Sequence, residues 1–275
     1  MTVVALAALL LAAGGRLLAQ SVTTLPLARA ASVNLVATRG TPRLWLVAHL
    51  DSKSQPVPML ARVTGIVVSV AALVALAVVA GLTLAGFDVA PRVWSLVALA
   101  GVLASLPVIA SVVGADSPGA LDNGSGIVTV LLAAEALPRE MPIGVLLTSA
   151  EELGMAGARA FAATHAAAMA INVDGGDDDG STICMRHGRA ARVRVGLARA
   201  ARGIGMTVTE RATIPGLLTD GVALADAGWS AVTVSRGGLG TLWRIHRAAD
   251  SAARIRGSGM HEVARLVASA AREIA

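Results

Sequence analysis

Three short apolar runs each end in residues able to do metal or acid–base chemistry. Residues 44–48 run into His49-Leu50-Asp51, residues 143–148 into Ser149-Ala150-Glu151-Glu152, and residues 168–173 into Asp174. Apolar runs of this length read as strands buried on both faces. In an open parallel sheet the ligand crevice lies outside the carboxyl ends of the strands, so these side chains are expected to converge there. In an extended His49-Leu50-Asp51 the two polar side chains share a face, because residues two apart point the same way. A histidine that ligates a metal through one ring nitrogen commonly has the other held by a carboxylate, and Asp51 is placed to hold it. The side chains of Glu151 and Glu152 diverge, so one can ligate a metal while the other faces a bound water as general base.

The residues available for such a site are limited by composition. Cys184 is the only cysteine, which excludes a disulfide framework within the chain and any cysteine-based zinc cluster. Metal ligands must then be His, Asp and Glu. No HExxH helix is present, which excludes a one-zinc site of the thermolysin type. Net charge is +5, yet Lys53 is the only lysine among 23 basic residues, and the chain has no Tyr and two Phe. Without a basic stripe interleaved with aromatics, nucleic acid is not an expected partner.

The elements that must position these residues alternate. The runs at 44–48, 143–148, 168–173 and 231–235 are separated by longer stretches of helical spacing at 127–137, 156–164, 190–204 and 260–274. That order predicts a mostly parallel sheet with helices on both faces, an α/β fold. Hydrophobic residues make up 55% and charged residues 15% of 275, against roughly 45–50% and about 25% in an ordinary soluble domain. The excess lies in two uncharged runs, residues 63–84 and 93–113. A helix of about 20 such residues covers the hydrocarbon core of a bilayer, and the eight residues between the runs allow a transmembrane hairpin. Gly65 with Ser69 and Gly101 with Ser105 are small-residue pairs that let two such helices approach. Residues 3–13 are apolar but too short to span. The expected organisation is an N-terminal apolar segment at 1–30, a domain formed by 31–58 and 115–275, and a hairpin insertion at 59–114. Both ends of the insertion must return to the same side of the membrane. Lys53 and Arg62 lie within reach of the membrane on the domain side and Arg92 alone sits in the hairpin turn, a count that favours a cytoplasmic domain.

An ordered set of motifs carries a resemblance. His49-x-Asp51, Asp122-Asn123-Gly124-Ser125-Gly126, Glu151-Glu152 with Gly154 and Gly157, Asn172-Val173-Asp174, and His246 with Asp250 follow one another. Together they resemble metallopeptidase family 28, the aminopeptidase Y family of exopeptidases with two cocatalytic zinc ions. Residues 32–37 are also similar to that family's first strand. The resemblance implies an α/β/α sandwich of the zinc-exopeptidase type, here interrupted by the hairpin. It implies two zinc ions per chain bridged by Asp122, with His49 and Asp174 completing one site and Glu152 and His246 the other. Glu151 becomes the general acid/base and Asp51 the partner of His49. The implied activity is that of a membrane-anchored aminopeptidase acting on peptides. A glutaminyl cyclase-like acyltransferase or another amide hydrolase is the alternative on the same fold, and a silent receptor or scaffold domain the alternative outside enzymes. Where the family usually has Thr after the last histidine this chain has Arg247, expected to add a positive charge beside the site. Outside the motifs, Asp177-Asp178-Asp179 reads as a solvated turn, Asp220 as a helix N-cap, residues 237–240 as a loop that could wall the pocket, and His165, His187 and His261 as surface or packing residues.

Overall fold

The computed structural model describes residues 31–213 and 218–274; the apolar run at 3–13 lies outside them. Strand β1 (Leu35–Thr38) and strand β2 (Leu44–His49) precede two long helices, α1 (Met59–Leu84) and α2 (Pro91–Ile109). A distorted turn at Ala120–Ser125 leads into α3 (Gly126–Glu135), β3 (Ile143–Thr148), α4 (Ala156–Thr164) and β4 (Met169–Gly176). The remainder is β5 (Ser181–Arg186), α5 (Ala191–Gly203), β6 (Val208–Ala212), α6 (Asp220–Asp226), β7 (Ser230–Gly237), α7 (Leu239–Arg244) and α8 (Ser258–Ile274).

One seven-stranded sheet runs in the order β1-β3-β2-β4-β7-β5-β6. Its centre, β3-β2-β4-β7, is parallel, as the four apolar runs require. Its edges differ: β1 is antiparallel to β3, and β5 is antiparallel to β7. The sheet is therefore mixed. Strands β5 and β6 escape the apolar-run criterion because β6 is a largely exposed edge strand and β5 carries Ser, Thr and Arg. Along β2, Leu44, Leu46 and Ala48 face a core closed by α3, α5 and α8, while Trp45 and Val47 face a second core closed by α4 and α6. Apolar residues at every position of the central strands are the consequence of helices on both faces.

Helices α1 and α2 pack on each other and are long and apolar enough to cross a membrane. Only Gly65, Ala72 and Val79 of α1 are buried, and no residue of α2 is, so much of their apolar surface is exposed. Two glycines set the approach. A Cβ at Gly65 would stand 2.5 Å from the Ala104 carbonyl oxygen, and one at Gly101 would stand 3.2 Å from the Ala72 methyl. Helix α2 ends at Ile109, four residues before the uncharged run does. Ser54 and Gly114 exchange backbone hydrogen bonds of 2.8 Å, which brings both ends of the insertion to one point beside the sheet.

Candidate metal centre

The candidate ligands lie at the carboxyl ends of β2, β3 and β4. His49 is the last residue of β2, and Asp174 lies within β4 where its register with β7 shifts. Glu151 and Glu152 occupy a tight turn after β3 that passes through the left-handed region at Ala150 (φ 53), Gly154 (φ 86) and Met155 (φ 60). For a residue with a Cβ this conformation costs on the order of 1–3 kcal/mol, and such strain clusters at functional sites. His246, also left-handed (φ 62), follows α7 and is tied by its carbonyl to the Gln55 amide at 2.8 Å. Asp122 sits in the distorted turn before α3. The Asn123 amide oxygen accepts from Gly126 and Gly175 at 3.1 Å each, and its nitrogen donates to the Val173 carbonyl at 2.9 Å. That side chain fastens the Asp122 turn beside Asp174. Asp250 completes the support by accepting the Leu121 and Asp122 amides at 2.6 and 3.1 Å.

Two groups of three result, and they share Asp122. The Nε2 of His49 lies 3.1 Å from Asp122 Oδ1 and 3.7 Å from Asp174 Oδ1. The Nε2 of His246 lies 2.9 Å from both Asp122 Oδ2 and Glu152 Oε1. Each oxygen of Asp122 thus faces a different histidine. Glu152 Oε1 is buried with His246 Nε2 as its partner, a placement that suits the two atoms to ligate one cation. Imidazole with carboxylate is a donor set that zinc accepts, so the residues fit a metal. Glu151 belongs to neither group but lines the same cavity of about 660 Å³.

Asp51 meets His49 more closely through its backbone than through its carboxylate. Its carboxylate stands 3.7 Å from His49 Nδ1, and the atom at hydrogen-bonding distance, 3.0 Å, is its own backbone carbonyl. The carboxylate instead accepts the amides of Glu151 and Glu152 at 3.0 Å each, fixing the paired-glutamate turn. Arg247 departs from expectation: its guanidinium lies 5.9 Å from the Trp243 ring centre and does not line the cavity. Two cations touch the candidate ligands: Lys53, with Nζ 2.5 Å from Glu152 Oε2, and Arg62 of α1, with Nη2 2.7 Å from His246 Nδ1.

Electrostatics separates the carboxylates. Burial pushes Glu151 well above the usual carboxylate range, and the charges of Asp174, Asp220 and Glu152 add to it against the pull of His49. Burial pushes Asp122 the same way, but hydrogen bonds from His246 and His49 outweigh it and hold this carboxyl below its ordinary value. Burial would lower His246, yet its bonds to Asp122 and Glu152 raise it to about 9. Of these carboxyls Glu151 is thus the one raised and Asp122 the one held low.

The remaining sequence expectations divide. Asp220 is the first residue of α6 but caps nothing; its carboxylate is fully buried against the Thr148 hydroxyl, its Oδ1 has no partner, and burial raises it to about 7. Asp177 is no solvated residue either. It is buried, bound to Arg244 and accepting from the Thr241 hydroxyl at 2.5 Å, which fixes α7. Asp178 accepts from Arg256, Ser258 and Gly259 at the start of α8, and only Asp179 is exposed. Residues 237–240 do line the cavity in part, at Gly237, Gly238 and Leu239. His187 bonds Thr213 and Thr233, His165 stacks on Phe161, and His261 is exposed, so none joins the site. Sequence reasoning missed Lys53, Arg62 and Gln55, and gave Asn123 and Asp250 no task. Charges at the first turn of an otherwise uncharged run were the available signal for Arg62.

Comparison with known proteins agrees with this architecture. The sequence model of Peptidase family M28 matches residues 96–271. The chain belongs to that family. Among solved structures it is similar to BSAP, a zinc aminopeptidase from Bacillus subtilis, at 17% identity and a TM-score of 0.55, covering 86% of this chain and 48% of that one. An aminopeptidase from Aneurinibacillus sp. strain AM-1 aligns at 18% identity and TM-score 0.57, over 88% of this chain and 47% of that one. The Bacteroides thetaiotaomicron glutaminyl cyclase bound to N-acetylhistamine aligns at 14% identity and TM-score 0.52, over 88% and 76%. The chain spans about half the length of the two aminopeptidases. A search of curated protein sequences finds no match.

Proposed function

We propose that the chain is a membrane-anchored, zinc-dependent exopeptidase that releases N-terminal residues from peptides. The observation that carries this reading is Asp122, which turns one oxygen toward each of two histidines with Glu151 alongside. His49, Asp122 and Asp174 would hold one zinc ion, and Asp122, Glu152 and His246 a second. Bound there, the ions would supply a Lewis acid for the scissile carbonyl and lower the pKa of water. The raised proton affinity of Glu151 suits it to take a proton from the attacking water and pass it to the departing amine. Asp51 holds the Glu151 and Glu152 amides in register for those two tasks. The glutaminyl cyclase among the similar folds favours, as second reading, acyl transfer on the same scaffold; one bound zinc rather than two would support it.

The domain of residues 31–58 and 115–275 would rest on a bilayer crossed by the insertion at 59–114. The exposed apolar surface of α1 and α2 supports that arrangement. We place the domain on the cytoplasmic side, from Lys53 and Arg62 against Arg92. In a Cys184→Ser background, a cysteine replacing Asp88 in the hairpin turn should be labelled by an impermeant reagent added to intact cells; protection of that turn reverses the orientation. Cys184 itself is no probe, because burial raises its thiol to about 12.

For the reaction, Glu151→Gln keeps shape and ligands but removes the base. Aminoacyl hydrolysis should fall by roughly 10²–10⁴-fold while metal analysis still finds about two zinc ions. Full turnover by that variant, or by protein stripped of metal, refutes the reading.

A further inference from the structure

The cavity has more positive charge than the proposed reaction uses. Among the described residues its carboxylates are Asp122, Glu151, Glu152 and Asp174, and Lys53, Arg62 and Arg211 also face it. Under the two-zinc reading, on which this inference rests, the two dications balance the four carboxylates, so Lys53, paired with Glu152, and the Arg62 and Arg211 guanidiniums add net positive charge. Arg62 shows this most directly. Its Nη2 contacts His246 Nδ1 and the Met59 sulfur, both at 2.7 Å, and its Nε is buried without a hydrogen bond. A guanidinium only donates, in a fork that matches a carboxylate.

The wall beside Arg62 is apolar and comes from the insertion. Met59, Val63 and Ile66 share the face of α1 that carries Arg62, by their spacing of three and four residues, and Val108 of α2 joins them in the cavity lining. Helix α7 packs against α1 and exposes Leu239 and Trp243, which lie four residues apart. Tryptophan is enriched at the level of lipid headgroups. Apolar side chains of both helices proposed to cross the bilayer thus form part of the cleft wall.

We propose that the site takes an amphiphilic amide: an apolar acyl or aminoacyl group lying along Met59, Val63, Ile66 and Val108, joined through the scissile bond to an amino acid whose free carboxylate is held by Arg62. Hydrolysis consumes one water. The amide C–N bond breaks, the water oxygen joins the acyl carbon, a proton goes to the nitrogen, and a carboxylate and a free amino acid leave. N-acyl amino acids drawn from the bilayer and apolar dipeptides drawn from water share this chemistry.

The test uses the full chain, zinc-loaded in lipid nanodiscs, with N-lauroyl-leucine, leucyl-leucine and the carboxamide of each. Each free acid should exceed its carboxamide in kcat/KM by about tenfold or more, the worth of a charge-assisted hydrogen bond. Arg62→Gln should bring that ratio near one, and Arg62→Lys should recover part of it. Ile66→Ser should raise KM for N-lauroyl-leucine without moving the ratio. Calorimetry on the Glu151→Gln protein should show the same preference for the acids in binding alone. A faster reaction with the lauroyl compound assigns the bilayer as source, and a faster one with the dipeptide assigns water; either supports the proposal. Equal turnover of acids and carboxamides overturns it and leaves the exopeptidase reading intact, whereas no turnover of any of the four by fully metal-loaded protein overturns the exopeptidase reading instead.

Discussion

His49 and Asp174 stand on neighbouring parallel strands, β2 and β4, whereas Glu152 and His246 reach Asp122 from a strained turn and from the residue two past the end of α7. The first half of the site inherits its geometry from the sheet: His49 is in register with Thr148 of β3, and Asp174 directly follows the last regular β4–β7 pair, Val173 with Val234. The second half depends on loops, on the Gln55–His246 backbone bond, and on two cations, one of them delivered by the inserted helix. Loops on a rigid scaffold are where function varies. The difference teaches that an inserted pair of helices can change what a candidate metal site meets without touching the strands that hold it.

Breaking the shared element should have the largest effect. Asp122→Ala removes an oxygen from both halves, so metal content should drop at both, and hydrolysis should fall beyond the roughly 10²–10⁴-fold cost of losing a proton-transfer group. Retention of one tightly held zinc would show that the halves are independent. Next in size, Asp174→Ala and Glu152→Ala should each cost one of two ions, read by metal analysis, with the loss confined to the half that was cut. Support residues should matter less, by about 10–100-fold in metal affinity. Asp250→Asn should weaken both halves because it holds the Asp122 amide, while Asp51→Asn should weaken chiefly the Glu152 half; equal effects on both halves from Asp51→Asn would erase the distinction.

The smallest effect concerns pH. Burial raises the carboxyl of Asp220, under the first half, to about 7 in the folded chain, against about 3.9 unfolded. A group whose folded pKa is raised contributes stability below its unfolded value and loses it as pH rises through the folded one. In metal-free protein, Tm should therefore decline between pH 5 and 8 in part through Asp220. Asp220→Asn should flatten that decline, and an unchanged slope would mean that this carboxyl titrates normally.

Much of the scaffold was legible because burial on both faces of a sheet forces unbroken apolar strands. Residues 143–148 and 156–164 were read with the bounds observed for β3 and α4. Strands β5 and β6 were not, since β6 is a largely exposed edge strand and β5, though paired on both sides, carries Ser181, Thr182 and Arg186 in place of a continuous apolar run. His49, Asp122, Glu151, Glu152, Asp174 and His246 were all named from the sequence, and the fold brings them into one cavity. Asp51 was named with them, yet its carboxylate serves the Glu151 and Glu152 amides, a pairing that depends on how two strand ends lie side by side.

Sequence alone determined the kinds of chemistry available: which residues can ligate, that cysteine cannot contribute, where strands must end, and which two segments are apolar enough to leave water. Those properties are local, written in side-chain type and in periods of two and three to four residues. Only the tertiary structure decided that Asp177 braces α7, that Asp220 is buried beneath Thr148, and that Arg247 turns away to Trp243 while Arg62 turns in. Arg62 meets His246 across 184 positions of chain. No periodicity encodes such a contact, because it arises where the path of the backbone, closed by the Ser54–Gly114 bridge and the packing of α1 on α7, brings two distant segments to one edge of the sheet.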